Sequence, residues 1–205
     1  MMDDDEDPAL RRIRSIAETL RGVYFPKWDP RREWSFYVWP DNQFCASLCD
    51  RRTKNIHIGD YPAENDEFIA ALICHEICHA IVDGNHTPRW ARRMEKTADR
   101  AERLQNAELA GLLRGDVALE MSYLSLLWHR YFRPTLHEIA GRPEPADFDV
   151  ALSEMLRLVR RNEPLLYFGW NTKTFNECYP QARAEFLAAR AGIVGHRGEE
   201  ATDFL

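Results

Sequence analysis

From Asp66 to Val82 the chain reads DEFIAALICHEICHAIV, a stretch of helix length that is apolar on almost every side. A helix without a polar face has nothing to offer water, so the rest of the chain must enclose it. Asn65 can cap its start, and Asp83-Gly84-Asn85 can close it. Within it stand His75, Glu76 and His79. Buried imidazoles without partners cost free energy, so the two rings call for something polar that both can share. Residues four apart stand one above the other on a helix face, which lets His75 and His79 reach one ion. Glu76 follows about 100° further round. From there its carboxylate can accept a proton from a metal-bound water without itself being a ligand.

Three protein ligands and an open position make the usual catalytic zinc site, so a third donor is required. His86 is the first candidate, because the turn residues after the helix let the chain fold back toward the ion. Its competitor is Glu95, which forms an ExxxD pair with Asp99. Both sit at or in a second helix that Thr87 can cap and Pro88 can open, expected to run to about Leu109 and to end at Gly111 and Gly115. At 100° per residue this helix carries three stripes. Arg89, Arg92, Arg93, Lys96, Arg100 and Arg103 form one; Trp90, Met94, Ala98, Ala101 and Leu104 form another; Glu95, Asp99 and Glu102 form the third. Glu95 therefore fits a solvated face paired with arginines better than a metal shell, which leaves His86 preferred. The basic stripe reads either as that same salt-bridged surface or as a contact for the phosphate backbone of DNA.

Elsewhere the pattern is plainer. Leu10, Ile13, Ile16, Ala17 and Leu20 predict a first amphipathic helix. The runs WSFYVW, QFCASLC and NIHI, parted by Pro40-Asp41-Asn42 and Asp50-Arg51-Arg52, predict three short antiparallel strands. His57 alternates with Ile56 and Ile58 and is expected on the outer or edge side. Cys45, Cys49, Cys74 and Cys78 could make a second, structural zinc site, but their faces favour small buried groups where sheet meets helix. Downstream, three more helical patterns flank the linker GRPEPAD. Tyr123, His129 and Tyr131 lie in the first of them and could face a cleft as oxyanion donors, though packed or surface positions suit them better.

The formal net charge is −6, and Asp3, Asp4, Asp5, Glu6 and Asp7 supply most of it. The remainder is nearly neutral, which excludes a protein-wide attraction to nucleic acid or anionic membrane and leaves only local patches. No apolar run is long enough to span a bilayer, and the acidic start is unlike a secretory signal, so a cytoplasmic location is expected.

The string HEICHAIVDGNHTPRWARRM resembles the SprT-like family of zinc metalloproteases. That family pattern is an HExxH helix, a third histidine opening a second helix, then an aromatic four residues on and often a Met. Here these are His75, Glu76, His79, His86, Trp90 and Met94, and the likeness extends over roughly residues 30 to 105. Thr87 stands where the family commonly has glycine, and the Cys cluster that some members carry after the protease domain is not found. The metzincin pattern does not fit, because Val82 takes the place of its glycine. The resemblance implies a zinc peptidase, in some relatives one that acts on proteins crosslinked to DNA.

These readings combine into one expectation. The fold class is α+β: a zincin-like core with a short antiparallel sheet packed on the HExxH helix, plus additional C-terminal helices. Residues 1–8 form an acidic disordered start, 9–110 the protease core, 111–195 a helical extension packed on it, and 196–205 a loose tail. The function is hydrolysis of peptide bonds in a protein or peptide substrate, with Zn2+ held by His75, His79 and His86 and Glu76 as general base. DNA contact, if present, runs through Arg89, Arg92, Arg93, Lys96 and Arg100. Two alternatives stand beside it: a DNA-associated binding protein with a structural or vestigial zinc site, and a glutamate-type zincin using Glu95.

Overall fold

A carboxylate and a proline set where the first helix begins. Asp7 accepts the backbone N–H of Ala9 at 2.9 Å and Pro8 fills the first turn, so α1 spans Pro8–Val23. The structure, a computed structural model, describes residues 7–39, 46–61, 64–82, 86–142, 147–162 and 170–200. Asp3 to Glu6, the Pro40-Asp41-Asn42 turn, Cys45, Asp83-Gly84-Asn85 and most of the GRPEPAD linker lie outside them. Ile13, Ala17 and Leu20 bury one face of α1, as their spacing predicts. Arg21 is buried beside them, bonded to Glu18 at 2.6 Å, Asp29 at 2.7 Å and the Trp34 carbonyl at 2.6 Å. A buried cation persists when charge and hydrogen bonds answer it in this way.

The three strands are β1 (Ser35–Trp39), β2 (Ser47–Asp50) and β3 (Asn55–Gly59). The Asp50 carboxylate accepts from the Arg52 and Thr53 backbone at 2.9 and 3.3 Å and closes the β2–β3 hairpin. The sheet is not the expected antiparallel one. Its order is β1-β3-β2, with β1 parallel and β2 antiparallel to β3. The reason lies in β3, where Ile56 and Ile58 are fully buried. The most buried strand takes the centre, and a central strand needs a partner on each edge to pair its backbone groups. His57 is therefore in the central strand, not at an edge; it is half-buried on the outer face, stacked on Tyr37 with ring centroids 5.4 Å apart.

The register places Phe36 and Cys49 opposite Ile56, and Val38 and Ser47 opposite Ile58. All six share one face, since paired residues point the same way. Against that face lies α2 (Asp66–Ile81), capped by Asn65, which accepts the Phe68 N–H at 2.9 Å. Ile69, Ile73 and Ile77 are buried along it. Cutting Ile77 to Ala is expected to cost about 2–5 kcal/mol, seen as a lower urea midpoint.

Cys74 and Cys78 are wholly buried on the same helix, and burial pushes the Cys78 thiol up to about 12 and the Cys74 thiol well above its ordinary value. An unfolded chain releases those protons near pH 8.5–9 while the folded chain keeps them, so stability is full below that range and falls as pH rises through it. Replacing Cys78 with Ala should flatten the fall in urea midpoint between about pH 8 and about pH 10.

Next comes α3 (Pro88–Arg103), with Thr87 as its cap, accepting the Trp90 N–H at 3.3 Å. Trp90, Met94, Ala98 and Ala101 are buried as the stripe predicts, whereas Leu104 is exposed. The helix stops at Arg103, earlier than the expected Leu109. Gln105 takes a left-handed conformation with φ 62°, and Asn106 accepts the Leu109 N–H at 3.0 Å to begin α4 (Ala107–Leu127). Gly111 and Gly115, expected to end a helix, lie inside α4. A glycine costs a helix interior about 1 kcal/mol, which weakens a helix without stopping it.

The chain divides into two compact units, Met1–Leu119 and Glu120–Leu205. The second contains a π-helical turn (Trp128–Phe132), α5 (Arg133–Ala140), α6 (Phe148–Asn162), α7 (Thr172–Cys178) and α8 (Ala182–Glu200). Pro134 has no N–H to return to the preceding turn, and the wider π turn ahead of it accommodates that gap. The core of this unit is aromatic, built on Trp128, Phe132, Trp170, Phe175 and Tyr179. Tyr123 and His129 are exposed and Tyr131 is half-buried against that core. α8 continues through Gly195 to Glu200, into the first half of the loose tail expected over 196–205; residues 201–205 lie outside the described ones. Among the described residues no helix is long and apolar enough to cross a membrane.

Candidate metal centre

Helix periodicity does the first part of the assembly. On α2 the rings of His75 and His79 lie with centroids 4.8 Å apart, and their Nε2 atoms are separated by 3.1 Å. His86 stands just before the Thr87 cap, and its Nε2 lies 3.0 Å from that of His75. Among the described residues these three are the one group of His, Cys, Asp or Glu side chains whose donor atoms converge as a metal would require.

The donor geometry fits a metal ion. In a tetrahedral site with Zn–N bonds of about 2.0 Å, neighbouring nitrogens stand about 3.3 Å apart, close to the two separations seen here. The tautomer agrees. Asp116 Oδ2 lies 2.7 Å from His75 Nδ1, and a carboxylate can only accept, so Nδ1 carries the hydrogen and the Nε2 lone pair of His75 faces the other two rings. Lone pairs gathered at one point are the natural environment of a cation.

Trp90 backs the cluster. It is fully buried, and its ring centroid lies 4.9 Å from His75, 5.5 Å from His79 and 4.7 Å from His86. Buried Thr87 holds the start of α3 in place, so ring and cap together fix where His86 stands.

Glu76 is buried at 4% exposure and its Oε1 accepts the Ser47 hydroxyl at 2.5 Å. Desolvation pushes its carboxyl above the ordinary range; His75, the Ser47 hydrogen bond and His86 pull it down, and Asp116 adds to the rise. Ser47 reaches Glu76 because its register opposite Ile58 points it at α2.

Of the other sequence candidates, Glu95 is exposed on α3 and takes no part in the cluster. Cys49 is half-buried on the inner face of β2 while Cys74 and Cys78 are in the core, the small buried groups expected of them. Two residues of the site were missed. Ser47 could have been found from the two-residue period it shares with Cys49 on β2. Asp116 carried no signal, since reading Gly111 and Gly115 as a helix end placed it in a loop.

Asp116 is the outer partner that orients His75. Changing it to Asn is expected to weaken metal affinity about 10- to 100-fold, measured by competition with a chromophoric chelator, with the circular dichroism spectrum unchanged. No family model, curated protein or solved structure matches this chain.

Proposed function

We propose that this chain is a zinc-dependent metallopeptidase of SprT-like type. The observation that carries the reading is the convergence of the His75, His79 and His86 Nε2 atoms beside a buried carboxylate that does not join them. A purely structural site has no use for such a carboxylate. Three imidazoles would hold Zn2+ and leave one position open, the arrangement of catalytic rather than structural zinc.

When bound, the ion would supply Lewis-acid polarisation of the scissile carbonyl and water acidic enough to attack at neutral pH. Glu76 takes the proton of the attacking water and returns it to the leaving amine. The Ser47 hydroxyl fixes the Glu76 carboxylate, and burial keeps it from being lost to solvent. Asp116 holds His75 in the tautomer that turns its lone pair inward. Among the described residues no strand pairs with the outer edge of β2, so its free backbone groups can receive an extended peptide next to Glu76.

The test is cleavage of unfolded casein by the zinc-loaded chain against the metal-stripped chain. Cleavage that requires zinc and returns on its re-addition supports the reading; equal cleavage, or none with zinc bound, contradicts it. The glutamate-type alternative has no support in the position of Glu95.

A further inference from the structure

The stripes of α3 predict a helix whose basic and acidic residues answer one another. The side chains do otherwise. Asp99 and Glu102 turn to Arg114 of α4, at 3.1 and 2.6 Å. Four of the six cations of the basic stripe face a different neighbourhood. Arg93, Lys96, Arg100 and Arg103 line a cavity of about 290 Å³, joined by Lys27 from the segment after α1, and among the described residues no carboxylate lines it. Among the described residues none of these five is in an ion pair.

Several like charges round one cavity repel, and the arrangement is relieved by a ligand bearing more than one negative charge. Guanidinium and ammonium groups together are the usual partners of phosphate. Arg93 is half-buried, its guanidinium 5.4 Å from the Phe25 ring, and among the described residues its buried Nε has no hydrogen-bond partner. The rest of the wall is of another kind, since half-buried Tyr24 and Trp28 add aromatic surface. A flat ring packs well on such surface. The volume is close to the lower end of small-molecule sites, about 300 Å³.

We propose that this cavity binds a nucleotide, with its phosphates among Lys96, Arg100 and Arg103 and its base against Tyr24 and Trp28. The site is separate in chemistry from the histidine cluster and does not depend on the peptidase reading.

The test uses the full zinc-loaded chain at low salt and reads the fluorescence anisotropy of a labelled ADP and of a labelled dT10 strand, with adenosine and inorganic pyrophosphate as competitors. ADP should compete, with adenosine and pyrophosphate each weaker by about tenfold or more, because each supplies half of the contacts. Lys96→Gln, at an exposed position of α3, and Arg100→Gln, at a half-buried one, should each weaken binding about tenfold, and Trp28→Ala should also weaken it. Arg157→Gln, on α6, should leave it unchanged, and the metal-stripped chain should bind ADP as the zinc-loaded chain does, which rules out phosphate held at the metal. Tight binding of ADP assigns the site to a free nucleotide; binding of dT10 with little binding of ADP assigns it to a nucleotide within a strand. Either supports the proposal. It is overturned if no phosphate probe binds at about 1 mM, if the double variant Lys96→Gln/Arg100→Gln binds as wild type does, or if pyrophosphate binds as tightly as ADP.

Discussion

Changing Glu76 to Gln should lower kcat/KM for peptide cleavage about 10²- to 10⁴-fold while the protein still takes up one equivalent of zinc. The two effects separate because Glu76 lies beside the imidazoles and is bonded to Ser47, not grouped with the donor atoms. The same change should not reduce the melting temperature. Glu76 is almost fully buried and burial already disfavours its charge, so a neutral side chain of the same shape removes a desolvation cost. Casein cleavage, metal analysis and calorimetry on one preparation check all three. Activity retained in the variant would remove Glu76 from the chemistry.

The second large effect concerns the ligand that is furthest away in sequence. His86→Ala should weaken zinc binding by roughly 3 kcal/mol, about a hundredfold, taking a tetrahedral site's total of 10–16 kcal/mol as shared among its ligands. Glu95→Ala should leave affinity unchanged, because that side chain is exposed on α3. Competition titrations against a chelator of known affinity distinguish the two. The opposite ranking would make this a glutamate-type site. Since His86 Nε2 lies 3.0 Å from His75 Nε2, its loss should also leave His75 and His79 as a bidentate pair that small chelators strip readily.

How much of this was legible in the sequence depended on the range over which each feature is determined. His75 and His79 could be placed together because four residues on a helix is a fixed distance. His86 could be nominated because the turn residues Asp83-Gly84-Asn85 let the chain fold back toward the first two rings. Ser47 and Asp116 lie further from reach: the two-residue period shared with Cys49 gives Ser47 its face but not its partner, and Asp116 carries no local signal. One depends on the strand register that sets Ser47 opposite Ile58, and the other on how α4 returns to α2.

The sheet shows the same limit. Alternation identified β1, β2 and β3, but which of them took the centre was decided by burial of Ile56 and Ile58, and the parallel pairing of β1 followed from that. The break between α3 and α4 rests on a single left-handed residue, Gln105, a type with no marked preference for that conformation. Charge on α3 was readable as stripes, but which cations are paired depends on Arg114 from the next helix.

Anomalous diffraction at the zinc edge, on crystals of the full chain grown with zinc, tests the central claim most directly. The account predicts one peak about 2.0–2.1 Å from the Nε2 atoms of His75, His79 and His86, with Glu76 outside bonding distance and no fourth protein donor. A peak elsewhere, or a protein side chain closing the fourth position, would contradict it.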